Sequence, residues 1–441
     1  MQPATSGAPE RGGGRGAGVW RRSWLRRCLW AAGFACLWLN VLDDPPLVSG
    51  ALVRDVETDA VTIGLIAAHP VVATATLFDG RGGVVGKREA PRPVRRHEFS
   101  FDGLSPGTNY DFTIDCGDGC VERGSVRTKP VRDDAEVRLA FLGDSGAQPW
   151  WVWLQRTPVL HWPARWGWLS DAEEVTRVGA GVATFRPDFV LHVGDVVYPR
   201  GEHRHYAAGL FRPFAEALRR APMYAVLGNH DVMASTGLQA QANLGLASAW
   251  RGGDGRNFSL AWGALRLIGL DTNTELTRDR FAPGHPSHTF LVTELAQATE
   301  PWIVVVSHYP IRSASNHRDR GEFLLGLLPE LKRYGVSLYL CGHDHCYQRF
   351  DARDGEPTLV VSGGGGMDLY PVRPHARATV VASVHHWCSA TVRGALLAVR
   401  AHAGDGTEVD AFELRLPGAE QLEAIRAVQR GRARRIDGLA R

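Results

Sequence analysis

The sequence predicts two folded units in series, an all-β sandwich and then an α/β domain of β-sheets flanked by helices. Three observations carry this. Short alternating runs fill the stretch from residue 51 to about 128, and after residue 137 the apolar runs become continuous and interleave with amphipathic stretches. Most of the continuous runs also end in side chains that bind metal ions.

The alternating runs lie at 60–65, 73–77, 97–101 and 110–114, with turn residues between them. A period of two marks a strand with one face buried, and short strands at this spacing argue for a sandwich. The stretch Leu104-Ser105-Pro106-Gly107-Thr108-Asn109-Tyr110 resembles the corner of a fibronectin type III domain, with Tyr110 as its packed aromatic. No catalytic chemistry is visible here, and the segment reads as a structural module. Cys116 and Cys120 bracket Gly117-Asp118-Gly119, a hairpin turn that a disulfide would be able to span in an oxidising compartment. Lys129-Pro130 and the charged residues to Glu136 form a linker.

The continuous runs lie at 137–142, 189–193, 223–227, 265–270, 302–306, 336–340 and 358–361, with amphipathic stretches near 171–184, 206–219, 288–298 and 321–334. Strands apolar on both faces are buried on both faces, which means sheets covered by helices. In such sheets ligands bind beyond the carboxyl ends of the strands. The expected organisation is a leader (1–50), a sandwich (51–130), an α/β domain (137–416) and a basic helical tail (417–441).

Composition narrows the function. The 441 residues are 44% apolar and 22% charged, enough to bury large cores, with a net charge of +3. Residues 1–50 and 417–441 each carry six Arg against three acids, so the body between them is net negative. A nucleic-acid binder concentrates positive charge on its folded domain, so that class is excluded.

Arg21, Arg22, Arg26 and Arg27 precede an apolar run at 28–42, and Val48-Ser49-Gly50 supplies small residues for cleavage. This is the layout of an export signal. The run is shorter than the roughly 20 residues that span a bilayer as a straight helix. Arg21-Arg22-Ser23-Trp24-Leu25-Arg26 resembles a twin-arginine signal, with Trp where Phe is usual. The expectation is export to a periplasmic or extracellular location with cleavage near Ala51; the alternative is membrane anchoring through 28–42.

The strand ends read Gly143-Asp144, Gly194-Asp195-Val196-Val197-Tyr198, Gly228-Asn229-His230-Asp231, Ser307-His308 and Gly342-His343-Asp344-His345. Carboxylate, amide, phenol and imidazole ligands suit Fe, Zn or Mn. The glycines before Asp144, Asp195, Asn229 and His343 are expected to let the chain turn sharply. Each motif alone is weak, but five in order at strand ends of one domain are not coincidence. Cys341 and Cys346 flank the last motif without the spacing of a structural zinc site, and read as buried thiols.

This series resembles the calcineurin-like metallophosphoesterases, and Tyr198, three residues after Asp195, makes it similar to the purple acid phosphatases among them. The resemblance spans roughly residues 52–416 and continues in Gly363-Gly364-Gly365-Gly366 and His385-His386. It implies that Asp144, Asp195, Tyr198 and His345 bind Fe(III). Asn229, His308 and His343 would then bind a divalent ion (Fe, Zn or Mn), with Asp195 bridging. It implies His230 as the acid–base histidine, and His317, nine residues after His308, as a second one by spacing. Glu322 is a candidate for the family's acidic residue after that histidine. The implied reaction is hydrolysis of small phosphate monoesters, with hydroxide generated at the metals attacking phosphorus and His230 or His317 protonating the leaving alkoxide.

Two alternatives stay open: a phosphodiesterase or nucleotide hydrolase on the same site, and a degenerate binding module. The second is disfavoured because all seven ligand positions are filled. Between Asp144 and Asp195 lies an insertion with Trp150, Trp151, Trp153, Trp162, Trp166 and Trp168, readable as packing, as a lid over the substrate or as a membrane contact. His203 and His205 read as solvated neighbours of the site.

Overall fold

The computed structural model describes residues 27–31, 48–131, 135–146, 148–149, 170–245, 255–273 and 281–416. Most of the expected export signal, the Trp-rich insertion and the basic tail lie outside the described residues.

The first unit is a sandwich of two antiparallel sheets. One orders β1 (Leu52–Val56), β2 (Ala60–Val71) and β5 (Val94–Asp102); the other orders β4 (Val84–Glu89), β3 (Thr74–Phe78), β6 (Asn109–Asp115) and β7 (Val121–Arg127). Val61, Ile63 and Leu65 of β2 meet Leu77, Phe112 and Ile114 across the interior, as the alternation requires. The Tyr110 hydroxyl accepts a hydrogen bond from the Ser105 main-chain N–H at 2.9 Å, closing the corner before β6. β1, β4 and β7 escape the sequence pattern; β4 in particular has little buried surface to mark it.

Residues 48–50, the expected processing point, are docked on this sandwich. Ser49 is buried, its Oγ accepts from the Ile66 N–H at 2.8 Å, and the Val48 and Ser49 N–H groups donate to the Ile66 carbonyl. Removal of everything before Ala51 would strip these bonds from β2.

The second unit holds two mixed sheets face to face. The first orders β12 (Met223–Ala225), β11 (Phe189–His192), β8 (Val137–Leu142), β20 (His386–Arg393), β21 (Leu396–Ala403) and β22 (Glu408–Arg415). The second orders β13 (Phe258–Trp262), β14 (Leu265–Gly269), β15 (Trp302–Val306), β16 (Leu338–Cys341), β18 (Thr358–Ser362), β17 (Tyr347–Phe350) and β19 (Val380–Ala382). Two-residue strands β9 (Gln148–Pro149) and β10 (Ser170–Asp171) pair on either side of the insertion. β8, β11 and β12 run parallel, as do β14, β15, β16 and β18.

Each central strand contributes to two cores. Leu139 and Phe141 of β8 face the space between the sheets, while Ala140 and Leu142 face Val175, Val178 and Val182 of the helix Glu173–Phe185. In β15, Val304 and Val306 face inward, and Ile303 and Val305 pack beneath Leu291 and Leu295 of the helix Pro286–Gln297. Burial on both faces is why these runs are continuously apolar.

Two expected helices differ. The stretch 206–219 is a π-helical turn, Ala207–Phe211, followed by the short helix Ala215–Leu218. The stretch 321–334 divides into Gly321–Gly326 and Leu328–Arg333, with Pro329 in the first turn of the second helix, where its missing N–H is tolerated.

Candidate metal centre

The parallel strands deliver the expected ligand residues to one place. Asp144 follows β8, Asp195 follows β11, Asn229 follows β12, His308 follows β15 and His343 follows β16, all at carboxyl ends. Asp144, Asp195 and His343 themselves adopt positive φ (56°, 52° and 70°), a strained state for residues with a side chain. Gly194 takes positive φ (98°) and turns the chain as expected, whereas Gly228 and Gly342, before Asn229 and His343, do a different job. At Gly228 an added Cβ would sit 2.1 Å from Asp195 Oδ1, and at Gly342 it would sit 2.3 Å from Asp144 Oδ2. Those positions must be empty because the ligands occupy the space.

Two overlapping donor sets result, with Asp195 in both. In the first, the Tyr198 hydroxyl lies 3.2 Å from Asp144 Oδ1, 3.1 Å from Asp195 Oδ2 and 3.2 Å from His345 Nε2. In the second, His308 Nε2 lies 3.1 Å from Asn229 Oδ1 and 3.4 Å from Asp195 Oδ2. One ligand atom each from Asp195, His308 and His343 falls within 4.8 Å of the others.

The tautomers show what this set lacks. His308 Nδ1 contacts the Val193 carbonyl at 3.0 Å and His345 Nδ1 the Asp368 carbonyl at 2.7 Å. A carbonyl only accepts, so each Nδ1 carries a proton, and in the neutral imidazole each Nε2 presents its lone pair to the cluster. Such outer partners are what orient metal-binding imidazoles. Among the described residues no Lys or Arg pairs with the cluster's carboxylates. Burial opposes charge on His308, yet Asp195 and Asp144 outweigh it and raise the imidazole to about 9. Without a cation, these carboxylates draw in a proton instead. Tyr198 is pushed well above its ordinary range by burial and then by Asp195 and Asp144, so a phenolate there needs a metal charge beside it.

The two histidines expected to handle protons stand beside the donor sets. The His230 ring lies 4.5 Å from the Tyr198 ring, its Nδ1 donates to the Pro199 carbonyl at 2.6 Å, and its N–H donates to Asp195 Oδ1 at 2.8 Å. The His317 ring stacks on His343 at 4.1 Å, and its Nδ1 lies 2.6 Å from Asp344 Oδ1. The spacing-based choice of His317 therefore places it at the cluster. Glu322 instead pairs with Arg320 at 3.3 Å.

Sequence reasoning missed two carboxylates. Asp344 is fully buried and holds His317; its other oxygen accepts from Gln348 at 3.1 Å and from Ser313. Asp231 accepts from the N–H groups of Val196 and Gly228, tying two ligand turns together, and burial followed by Asp195 raises it to about 7. Asp344 sits between His343 and His345 and Asp231 directly after His230 in the motifs, a signal that position alone would have supplied.

Other candidates are structural. His205 is buried against Glu202 at 3.4 Å rather than solvated, and His203 bonds Asn243 at 2.8 Å. His386 is buried against Ser362 at 3.1 Å. The Gly365 N–H donates to the Gly143 carbonyl, so the glycine run buttresses the Asp144 turn. Cys341 and Cys346 are buried free thiols, and Cys116 and Cys120 are also free.

The family described as calcineurin-like phosphoesterase matches residues 137–347. Tartrate-resistant acid phosphatase type 5 of Mus musculus is 28% identical over 228 residues, 45% of this chain and 67% of that protein. Purple acid phosphatase 17 of Arabidopsis thaliana is 30% identical over 274 residues, 55% of this chain and 74% of that protein. The chain belongs to the purple acid phosphatase family. Among solved structures, purple acid phosphatase PPD1 from yellow lupin superposes with a TM-score of 0.67 at 15% identity, covering 85% of this chain and 76% of that one. PhoD superposes with a TM-score of 0.60 at 12% identity, covering 89% and 98%. Purple acid phosphatases are dinuclear metal enzymes, and the two donor sets sharing Asp195 fit that description.

Proposed function

We propose that this protein hydrolyses small phosphate monoesters at a dinuclear centre, with Asp144, Asp195, Tyr198 and His345 holding Fe(III). Asn229, His308, His343 and the shared Asp195 hold a divalent Fe, Zn or Mn. The observation that carries the reading is the pair of donor sets meeting at Asp195, with Tyr198 in contact with three members of its set. When bound, two such ions clamp the phosphoryl group and acidify a water to serve as nucleophile.

The chain's own side chains do the rest. His230 and His317 each have Nδ1 committed, to Pro199 and Asp344, which leaves Nε2 to hold a proton for the departing alkoxide. Asp344 also fixes the orientation of the His317 ring through its 2.6 Å contact with Nδ1. His317 leans on His343, whereas His230 leans on Tyr198, so the leaving group has a proton donor beside each donor set.

The sandwich is proposed as a fibronectin type III-like module, supported by its three-plus-four strand arrangement and the Tyr110 corner. Export is proposed from the basic and apolar leader, with processing upstream of Val48 rather than at Ala51, because residues 48–50 belong to the fold. No helix among the described residues is long and apolar enough to cross a membrane.

Metal analysis combined with a panel of phosphate esters across pH tests the reading. Metal-replete protein is expected to turn over monoesters and to lose that activity on chelation. Preference for diesters, or turnover that survives metal removal, would overturn it. On the same panel, His230→Ala is expected to keep both metals and to slow esters of poor leaving groups by about 10²–10⁴-fold, with much smaller losses on activated aryl esters. Equal losses on both would transfer the proton-donor role to His317.

A further inference from the structure

We infer that Tyr370 is a substrate-contacting residue whose phenol hydroxyl donates a hydrogen bond to the phosphoryl group; the inference rests on the phosphatase reading above. Tyr370 lies in the loop after the glycine run, between β18 and β19, outside the seven ligand positions and the two proton-handling histidines. Its ring stacks on the His345 imidazole at 4.1 Å and 15°, and its edge approaches the His317 ring at 6.0 Å. His317 in turn stacks on His343 at 4.1 Å. Tyr370 and His317 thus form a two-ring wall, each ring lying on a histidine of a different donor set.

The backbone fixes this ring. The Tyr370 N–H donates to the His345 carbonyl at 2.9 Å, and the Tyr370 carbonyl accepts from Ser383 Oγ at 2.8 Å. The side chain is half-buried, and its hydroxyl makes no hydrogen bond among the described residues. A fixed ring beside a reaction centre with an unused donor is a positioned binding group. Its ring contacts with His345 and His317 place the side chain on the cluster side of the loop. It therefore lies beside the space where an acceptor-only phosphoryl group would sit. A phenol O–H that reaches solvent bonds water in the free enzyme, and a phosphate oxygen would replace that water as its acceptor.

Two other groups line the same space as donors, His230 and His317, and both are assigned to the leaving group. Tyr370 differs in that a phenol is too weak an acid to compete for that role near neutral pH, so its contribution is orientation.

The test compares wild type with Tyr370→Phe, which keeps the ring on His345 and removes one oxygen. Binding of inorganic phosphate to metal-replete protein is measured by calorimetry, alongside metal content, thermal midpoint and KM against kcat. Tyr370→Phe is expected to bind phosphate roughly tenfold or more weakly, as loss of a hydrogen bond to a charged group predicts. Metal content and midpoint should match wild type. Equal phosphate affinity in the two proteins would overturn the inference. Loss of metal in the variant would also overturn it, because the hydroxyl would then act through His345 and not on substrate. Failure of wild type itself to bind phosphate would count against the metallophosphatase reading, which separates the two outcomes.

Discussion

Loaded with iron, the purified protein is expected to be violet to pink, and Tyr198→Phe is expected to bleach it while most of the iron stays bound. The colour would come from charge transfer between a phenolate and Fe(III); the same ligand on Zn or Mn gives no visible band. The geometry supports the assignment, because the Tyr198 oxygen sits within 3.2 Å of donor atoms from Asp144, Asp195 and His345. The side chain is buried, and burial with two neighbouring carboxylates holds the phenol protonated until a cation enters. Deprotonation is therefore coupled to metal binding, and iron uptake should release a proton that the variant does not release. Absorption spectra and metal analysis of the two proteins decide the matter. A colourless, iron-free and fully active wild type would remove iron from the assignment and leave a two-metal site of other composition.

His308→Ala is expected to lose the divalent ion and nearly all turnover while the protein stays folded. His308 stands at the end of β15, fully buried, with Nε2 facing Asn229 and Asp195 and Nδ1 bound to the Val193 carbonyl. Loss of an outer partner of a metal ligand costs about 10–100-fold in affinity or activity, and loss of the ligand itself should exceed that. The fold should survive because β15 pairs on both sides with β14 and β16, and His308 lies beyond the paired residues. Circular dichroism, metal content and ester turnover test this together. Activity within a few-fold of wild type would sink the placement of the second donor set.

Much of this was legible in the chain because the relevant physics is local. Alternation in β3, β5 and β6, and at the start of β2, marks strands with one wet face, and mainly apolar runs in β8, β11 and β15 mark strands with none. Asp144, Asp195, Asn229, His308 and His343 could be read as ligands because each stands just past such a run. β21 and β22 were not legible, since β22 is half-exposed and ends the sheet, where neither pattern is strong. The helix expected at 206–219 failed because packing imposed a π-helical turn on the stretch.

By itself, then, the sequence determined the order of the two units, the candidate ligand types and the strand ends that carry them. Only the tertiary structure decided how those ligands share space. It bound His317 to Asp344, joined the Val196 and Gly228 turns through Asp231, and laid Tyr370 on His345. It also reassigned the glycines: Gly228 and Gly342 are present because a Cβ would collide with ligand oxygens from other strands. Periodicity and turn chemistry act over a few residues along the chain. Contacts such as His317 to Asp344, or His343 to Asp144, join residues 27 and 199 positions apart, and only the packing of the sheets brings them within hydrogen-bond distance.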